Sequence, residues 1–160
     1  MIRWFLKLAS TRPGAWFFLN VSPPLDRALL RLTRGRFSMA GSAPILLLNT
    51  TGARSGQPRS TPLLYLADGE RFVLIASKGG APRHPAWYHN LRAKPEATLL
   101  VAGREVLCSA HEAQDEERER LWKLATDYNP GYDTYQDRAN RRIPVMVLTP
   151  GKAESAAESG

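Results

Sequence analysis

Hydroxyls, glycines and arginines crowd residues 49–63, where Asn49, Thr50, Thr51, Gly52, Arg54, Ser55, Gly56, Gln57, Arg59, Ser60 and Thr61 lie between two apolar runs. Glycines let successive backbone N–H groups turn toward one point, and the guanidinium forks of Arg54 and Arg59 match the paired oxygens of a phosphate or carboxylate. The chemistry is anion binding, with a solvated basic turn as the plain alternative. Ser77, Lys78, Gly79, Gly80, Arg83 and His84 repeat the composition and run into Pro85, Trp87, Tyr88, His89 and Asn90. Pro85 suits a first helical position and Pro95 bars continuation, so an aromatic helix follows the second loop. Two basic glycine loops beside such a helix suit a flat, anionic ligand. Tyr128, Tyr132 and Tyr135 crowd residues 127–135, a stretch with Pro130 and Gly131 that reads as a loop. Each ring offers a flat apolar face and a hydroxyl, which suits a planar ligand with an oxygen to be held; helix-end packing is the alternative.

The elements that must position these groups read as strands and short helices. Apolar runs at 45–48, 63–66 and 71–76, alternating segments at 98–102 and 105–110, and a last run at 143–148 give six strands. Gly52, Gly56 and Pro58 punctuate a hairpin between the first two, Asp68-Gly69 turns the second into the third, and Gly103-Arg104 turns the fourth into the fifth, so the pairing is antiparallel and both basic loops can share one sheet edge. Pro144 is tolerated near the start of the last strand. Residues 26–34 form a short helix with Arg27, Arg31 and Arg34 on one face and Gly35 past its end. Asp115, Glu116 and Glu117 open another, where an acidic first turn favours the dipole.

With these stretches in view, the chain resembles the deazaflavin-dependent nitroreductases, the quinone-reductase branch of the enzymes that use coenzyme F420. The resemblance rests on residues 46–59, 76–80, 85–91 and 142–145 in that order and spacing, and covers roughly residues 27–150. It implies an α+β fold, a split β-barrel of about six mostly antiparallel strands with flanking helices, similar to FMN-binding flavin reductases. It also implies hydride transfer from reduced F420 to quinones of the menaquinone type and, promiscuously, to nitroaromatics. By the same resemblance the coenzyme's phosphate and oligoglutamate tail lies across Arg54, Ser55, Gln57, Arg59 and Lys78, while Pro62, Ser77, Trp87 and Asn90 border its ring or linker. Tyr128, Tyr132 and Tyr135 would line the acceptor pocket, with Tyr135 orienting an acceptor oxygen. An FMN-binding oxidoreductase on the same fold, and a non-catalytic cofactor-binding or membrane-associated protein, are the alternatives.

At 160 residues the chain has the size of one domain, with residues 37–150 as the barrel, 1–36 as a basic helical segment and 151–160 as a disordered tail. The net charge of +7 is unevenly placed: residues 1–36 hold seven basic side chains against Asp26, and residues 37–160 are nearly balanced. Nucleic acid is therefore a poor partner, since the excess lies outside the core and no nucleic-acid motif accompanies it. Residues 1–10 pattern as an amphipathic helix with Arg3 and Lys7 opposite Phe5 and Leu6, and an aromatic cluster follows at 15–21. Such a segment suits packing on the domain or peripheral contact with the inner face of an anionic membrane, and it is interrupted by charge too soon to span one. The single Cys108 sits in an apolar run as a structural residue, which fits a reducing cytoplasm. His84, His89 and His111 lack metal-ligand spacing, no nucleophilic triad stands out, and a monomer and a homodimer are both compatible with the pattern.

Overall fold

The computed structural model describes residues 22–36 and 43–151; the expected helix at 1–10, the aromatic cluster at 15–21 and the tail beyond 151 lie outside them. Helix α1 (Ser22–Leu32) begins with Pro23 and Pro24 in its first turn, where missing N–H groups are no loss. It ends in two left-handed residues, Arg34 and Gly35. Gly35 N donates to Leu30 O at 2.7 Å, and a Cβ on Gly35 would stand 2.7 Å from Leu100 O, so the position admits only glycine.

Seven strands form one antiparallel sheet: β1 (Ile45–Thr51), β2 (Pro58–Leu64), β3 (Leu66–Asp68), β4 (Arg71–Ile75), β5 (Glu96–Val101), β6 (Arg104–Glu112) and β7 (Val145–Pro150). Their order across the sheet is β2-β1-β5-β6-β7-β4-β3. The second expected strand divides in two and starts earlier than Leu63, because Pro58 to Leu64 pair residue by residue with Thr51 back to Ile45. Ser60 and Thr61 join the ladder readily, and Ser60 Oγ donates across it to Asn49 Oδ1 at 2.6 Å. Pro58 and Pro62 are tolerated because β2 is an edge strand that need not donate outward. The turn between β5 and β6 is Ala102-Gly103, both at positive φ, which matches the mirror-image two-residue hairpin; Arg104 belongs to the strand.

Alternation along the strands divides the core. Leu46, Leu48, Leu74, Leu99, Met146 and Leu148 face the inside of the curled sheet, where α2 (Ala86–Ala93) inserts Trp87, Tyr88 and Leu91. Leu47 and Leu100 point outward and meet Leu30 of α1. On the other outer surface, Val73, Val145 and Val147 pack against α3 (Asp115–Tyr128) and α4 (Gly131–Ala139) through Leu121, Ala125, Tyr132, Tyr135 and Ala139. The expected tyrosine loop is thus helical. Asn129 O accepts Tyr132 N and Asn129 Oδ1 accepts Gly131 N, so Asn-Pro-Gly makes the tight turn that starts α4. Cys108 is buried and its thiol is pushed up to about 11 by desolvation, in keeping with a packing residue.

Candidate functional site

The first basic loop is a six-residue turn, 52–57, closed by Gly52 N to Gln57 O at 2.8 Å and Gly56 N to Gly52 O at 2.9 Å. Ser55 Oγ organises it by accepting from Gln57 N at 3.2 Å and from Arg59 Nη2 at 3.3 Å. A Cβ on Gly52 would fall 2.5 Å from that hydroxyl and would displace it from its place in the turn. Asn90 ties the turn to α2. Its Oδ1 accepts from Ala53 N at 2.9 Å and its Nδ2 donates to Thr50 Oγ1 at 3.2 Å, from a buried position.

An open groove of about 900 Å³ runs along this turn between α2, β2 and α1. Arg54 and Arg59 enter it from the turn and β2, Arg92 from α2, and Arg27 and Arg31 from α1, and among the described residues no carboxylate lines it. Arg92 is partly neutralised: its Nη1 donates to Tyr88 Oη at 2.9 Å and to Glu112 at 3.2 Å, while Tyr88 Oη donates to Glu112 at 2.8 Å. Among the described residues the other four have no ion pair, and Arg54 is exposed with no hydrogen bond. Like charges gathered without acids are held apart by water until an anion bridges them, and charge-assisted bonds from paired guanidiniums are the strong kind. Of the residues expected at a cofactor, Arg54, Ser55, Arg59, Trp87 and Asn90 line this groove, and Gln57, Pro62, Ser77 and Lys78 do not. Gln57 serves the turn through its carbonyl, and Pro62 pairs with Leu47 inside β2.

The second loop takes a different anchor. Lys78 to Gly80 form a single 3-10 turn in left-handed backbone, and Gly80 presses so closely on α4 that a Cβ would lie 3.0 Å from Tyr135 O. The two loops therefore do not share one sheet edge: one is tied to α2 and the other to α4. Arg141, just beyond α4, fastens this loop from below. Its Nη2 donates to Ala76 O and Ser77 O, both at 3.2 Å, its Nε to Ala81 O at 3.0 Å, and its Nη1 to His84 Nδ1 at 2.9 Å. His84 thus accepts at Nδ1, and burial followed by the Arg141 charge hold its pKa below the ordinary 6.5. Sequence reasoning passed over Arg141. Apart from His84, its partners are backbone carbonyls about sixty residues away, which carry no side-chain signature; only its place beside the matched stretch at 142–145 hinted at it.

Tyr132 and Tyr135 are buried with ring centroids 6.0 Å apart, edge to face, and Tyr128 is half-buried at the end of α3. Desolvation raises the pKa of all three above the ordinary 10, so each phenol is protonated at neutral pH and can donate. They do not line the arginine groove. The chain between Ser77 and Asn90 connects the two regions, running from beneath α4 through His84 to α2. His84, Tyr88 and His89 form an aromatic cluster on the way, with His84 and Tyr88 centroids 4.6 Å apart. Among the described residues no cluster of His, Cys, Asp or Glu is placed to hold a metal ion.

The family described as F420H(2)-dependent quinone reductase matches residues 28–150. An F420H(2)-dependent quinone reductase of Mycobacterium tuberculosis is 44% identical over 130 residues, covering 78% of this chain and 87% of the relative. A solved F420-H2 dependent reductase superposes with a TM-score of 0.61 at 40% identity, over 66% of this chain and 94% of its own. A second solved relative, described as a domain-swapped dimer, gives 0.63 at 34% identity over 86% and 99%.

Proposed function

The chain belongs to the family of F420H(2)-dependent quinone reductases, and on that premise we propose that its arginine groove holds the anionic part of the coenzyme while the second loop and α4 face the electron acceptor. The protein is an oxidoreductase on a split β-barrel that reduces a quinone with reduced F420. Hydride donation is supplied by the deazaflavin when it is bound, and the protein contributes position, electrostatics and control of protons.

The residues fit such a group. The tail implied by the resemblance is anionic, and a groove lined, among the described residues, by five arginines and no carboxylate is the single observation that carries the reading. Arg54 has all five N–H donors available, and Arg59 is steadied by Ser55. Asn90 is a positioning residue in this scheme: with Gly52 and Ser55 it fixes where Arg54 stands. Trp87, largely buried in the core, borders the groove. Lys78 and Ser77 approach the coenzyme from the α4 side, on a loop whose path Arg141 sets, and Gln57 and Pro62 act through turn and strand backbone. Tyr135, a phenol that is protonated at neutral pH, donates a hydrogen bond to the acceptor oxygen that strengthens as negative charge develops there, with Tyr132 and Tyr128 completing the aromatic wall. Nitroaromatics, which are flat and carry similar oxygens, fit the same wall.

Three finer readings accompany this one. Residues 1–20 bring the enzyme to an anionic membrane surface, where a lipid-soluble quinone resides; the full chain then sediments with anionic liposomes at low salt and a chain lacking these residues does not. The enzyme works in the cytoplasm, and no helix among the described residues is long and apolar enough to cross a membrane. It forms a homodimer, as the domain-swapped relative does, to be read by sedimentation. The deciding experiment for the coenzyme is a titration of the purified chain with F420 and with FMN. Tighter binding of F420 is expected, and preference for FMN would reverse the assignment.

A further inference from the structure

Helix α4 gives way at Asn140, in left-handed backbone, and residues 141–144 then run irregularly into β7 past the fully buried Ile143. Polar backbone groups in such a segment need partners from outside it. One side chain supplies two of them. Gln136, the residue after Tyr135 on α4, donates from Nε2 to Arg141 O at 2.5 Å and accepts at Oε1 from Ile143 N at 2.9 Å. Arg118 of α3 completes the hold, donating from Nη2 to Ile143 O at 3.0 Å. The same segment grips the second loop. The Arg141 guanidinium takes the carbonyls of Ala76, Ser77 and Ala81, and Pro144 O accepts from Ala76 N at 3.0 Å. Direct bonds therefore run from α4 through residues 141–144 to the loop that bears Ser77 and Lys78, with Gln136 at the α4 end. The turn of the arginine groove lies outside this path, anchored by Asn90 on α2.

We propose that Gln136 is a positioning residue for hydride transfer: by tying Arg141 and Ile143 to α4, its carboxamide sets the distance between the Tyr135 hydroxyl and the loop of Ser77 and Lys78. The proposal rests on the reading of α4 as the acceptor side and of that loop as the coenzyme side. A glutamine suits the task because one planar group offers a donor and an acceptor at once, and the two backbone partners need one of each. Transfer between two bound molecules is steep in their separation, so slack in this link lowers turnover, while the groove keeps the coenzyme bound.

Steady-state rates with a soluble menaquinone analogue, F420 titrations and thermal unfolding of three variants of the full chain test this. Gln136→Met keeps the length and loses both bonds; kcat should fall about 10-fold while coenzyme Kd stays within about 3-fold. Gln136→Glu, once ionised, accepts from Ile143 N but cannot donate to Arg141 O, and once protonated it does both. Its kcat relative to wild type should therefore climb back as pH is lowered from about 8 to 5, a recovery that Gln136→Met cannot show. This pH course also decides the matter if Gln136→Met fails to fold. In a Tyr135→Phe background, Gln136→Met should cost less than about 3-fold, because the hydroxyl it places is already gone. Wild-type kcat in folded Gln136→Met overturns the proposal, as does a loss matched by weaker coenzyme binding, or a Gln136→Glu variant whose relative rate does not rise in acid. Losses that multiply independently in the double variant overturn the link to Tyr135 and leave the acceptor reading standing. Wild-type turnover in Tyr135→Phe alone is a different result, and overturns the acceptor reading itself together with the proposal built on it.

Discussion

The arginine groove and the tyrosine helix are built on opposite terms. The groove gathers cations from the tight turn, β2, α1 and α2, and little packing depends on the foremost of them: Arg54 is exposed and makes no hydrogen bond or ion pair among the described residues. The tyrosines of α4 are core residues first, sealed against Val145, Val147 and α3, and their hydroxyls ride on that packing. Function and stability are thus separable in one region and fused in the other. Substitutions in the groove should read out as binding, and substitutions on α4 as stability and turnover together.

The largest effect is expected where packing is densest. Tyr132→Ala removes a buried ring and should cost about 3–5 kcal/mol, the range for large aromatic truncations, lowering Tm by roughly 10 °C. A Tm within 2 °C of wild type, by calorimetry or fluorescence, would show that α4 is a mobile lid and dissolve the contrast. Asn90→Ala tests the boundary between the two regions, because a buried side chain there serves an exposed turn. It leaves Ala53 N–H without its acceptor and should cost roughly 1–3 kcal/mol of stability while also loosening the coenzyme. Chemical denaturation paired with an F420 titration checks both arms, and a loss in only one would place Asn90 wholly in that region.

Tyr135→Phe keeps the ring and drops the hydroxyl, so it separates packing from chemistry within α4. Turnover with a soluble menaquinone analogue should fall about 10-fold, equivalent to roughly 1.4 kcal/mol of transition-state stabilisation, with coenzyme affinity nearly unchanged. Wild-type turnover would remove the hydroxyl from the mechanism. The smallest effect concerns His84, whose folded pKa lies below the unfolded 6.5 because it is buried beside Arg141. The unfolded chain binds the proton more readily, so this stabilisation is full above pH 6.5 and is lost as pH falls through the folded pKa. Asp68 and Glu117, held low by hydrogen bonds from Arg120 and Arg71 and from His111 and Arg71 respectively, lose theirs only in more acid solution. His84→Gln should therefore flatten the stability profile as pH falls below 6.5 relative to wild type. Parallel profiles would mean that His84 is not desolvated.

Legibility in the sequence followed the same division. The basic turn was legible because it is local: Arg54, Ser55 and Arg59, singled out by composition, line one groove, and Trp87 and Asn90, which only the resemblance had put beside them, border it from α2. The strands were readable from apolar runs, except where hydroxyl-rich Ser60 and Thr61 looked like loop and became edge strand. The tyrosine segment was misread because Pro130 and Gly131 were weighed more heavily than spacing. Tyr128, Tyr132, Tyr135 and Ala139 recur at helical intervals, and three of them are buried on one face. Contacts that join distant backbone were invisible, as with Arg141 and the carbonyls of residues 76, 77 and 81. So was the contribution of α1 to the groove, since helix packing angles leave no local trace in composition.

An F420 titration of Arg54→Ala against wild type, with Tm measured on both, bears most directly on the role of the groove. Loss of one charge-assisted contact of about 1.5–3 kcal/mol predicts affinity weaker by roughly 10- to 150-fold. Tm should stay within about 2 °C, as for other exposed substitutions. Unchanged affinity in the folded variant would contradict the groove as the place where the coenzyme's anionic tail is held.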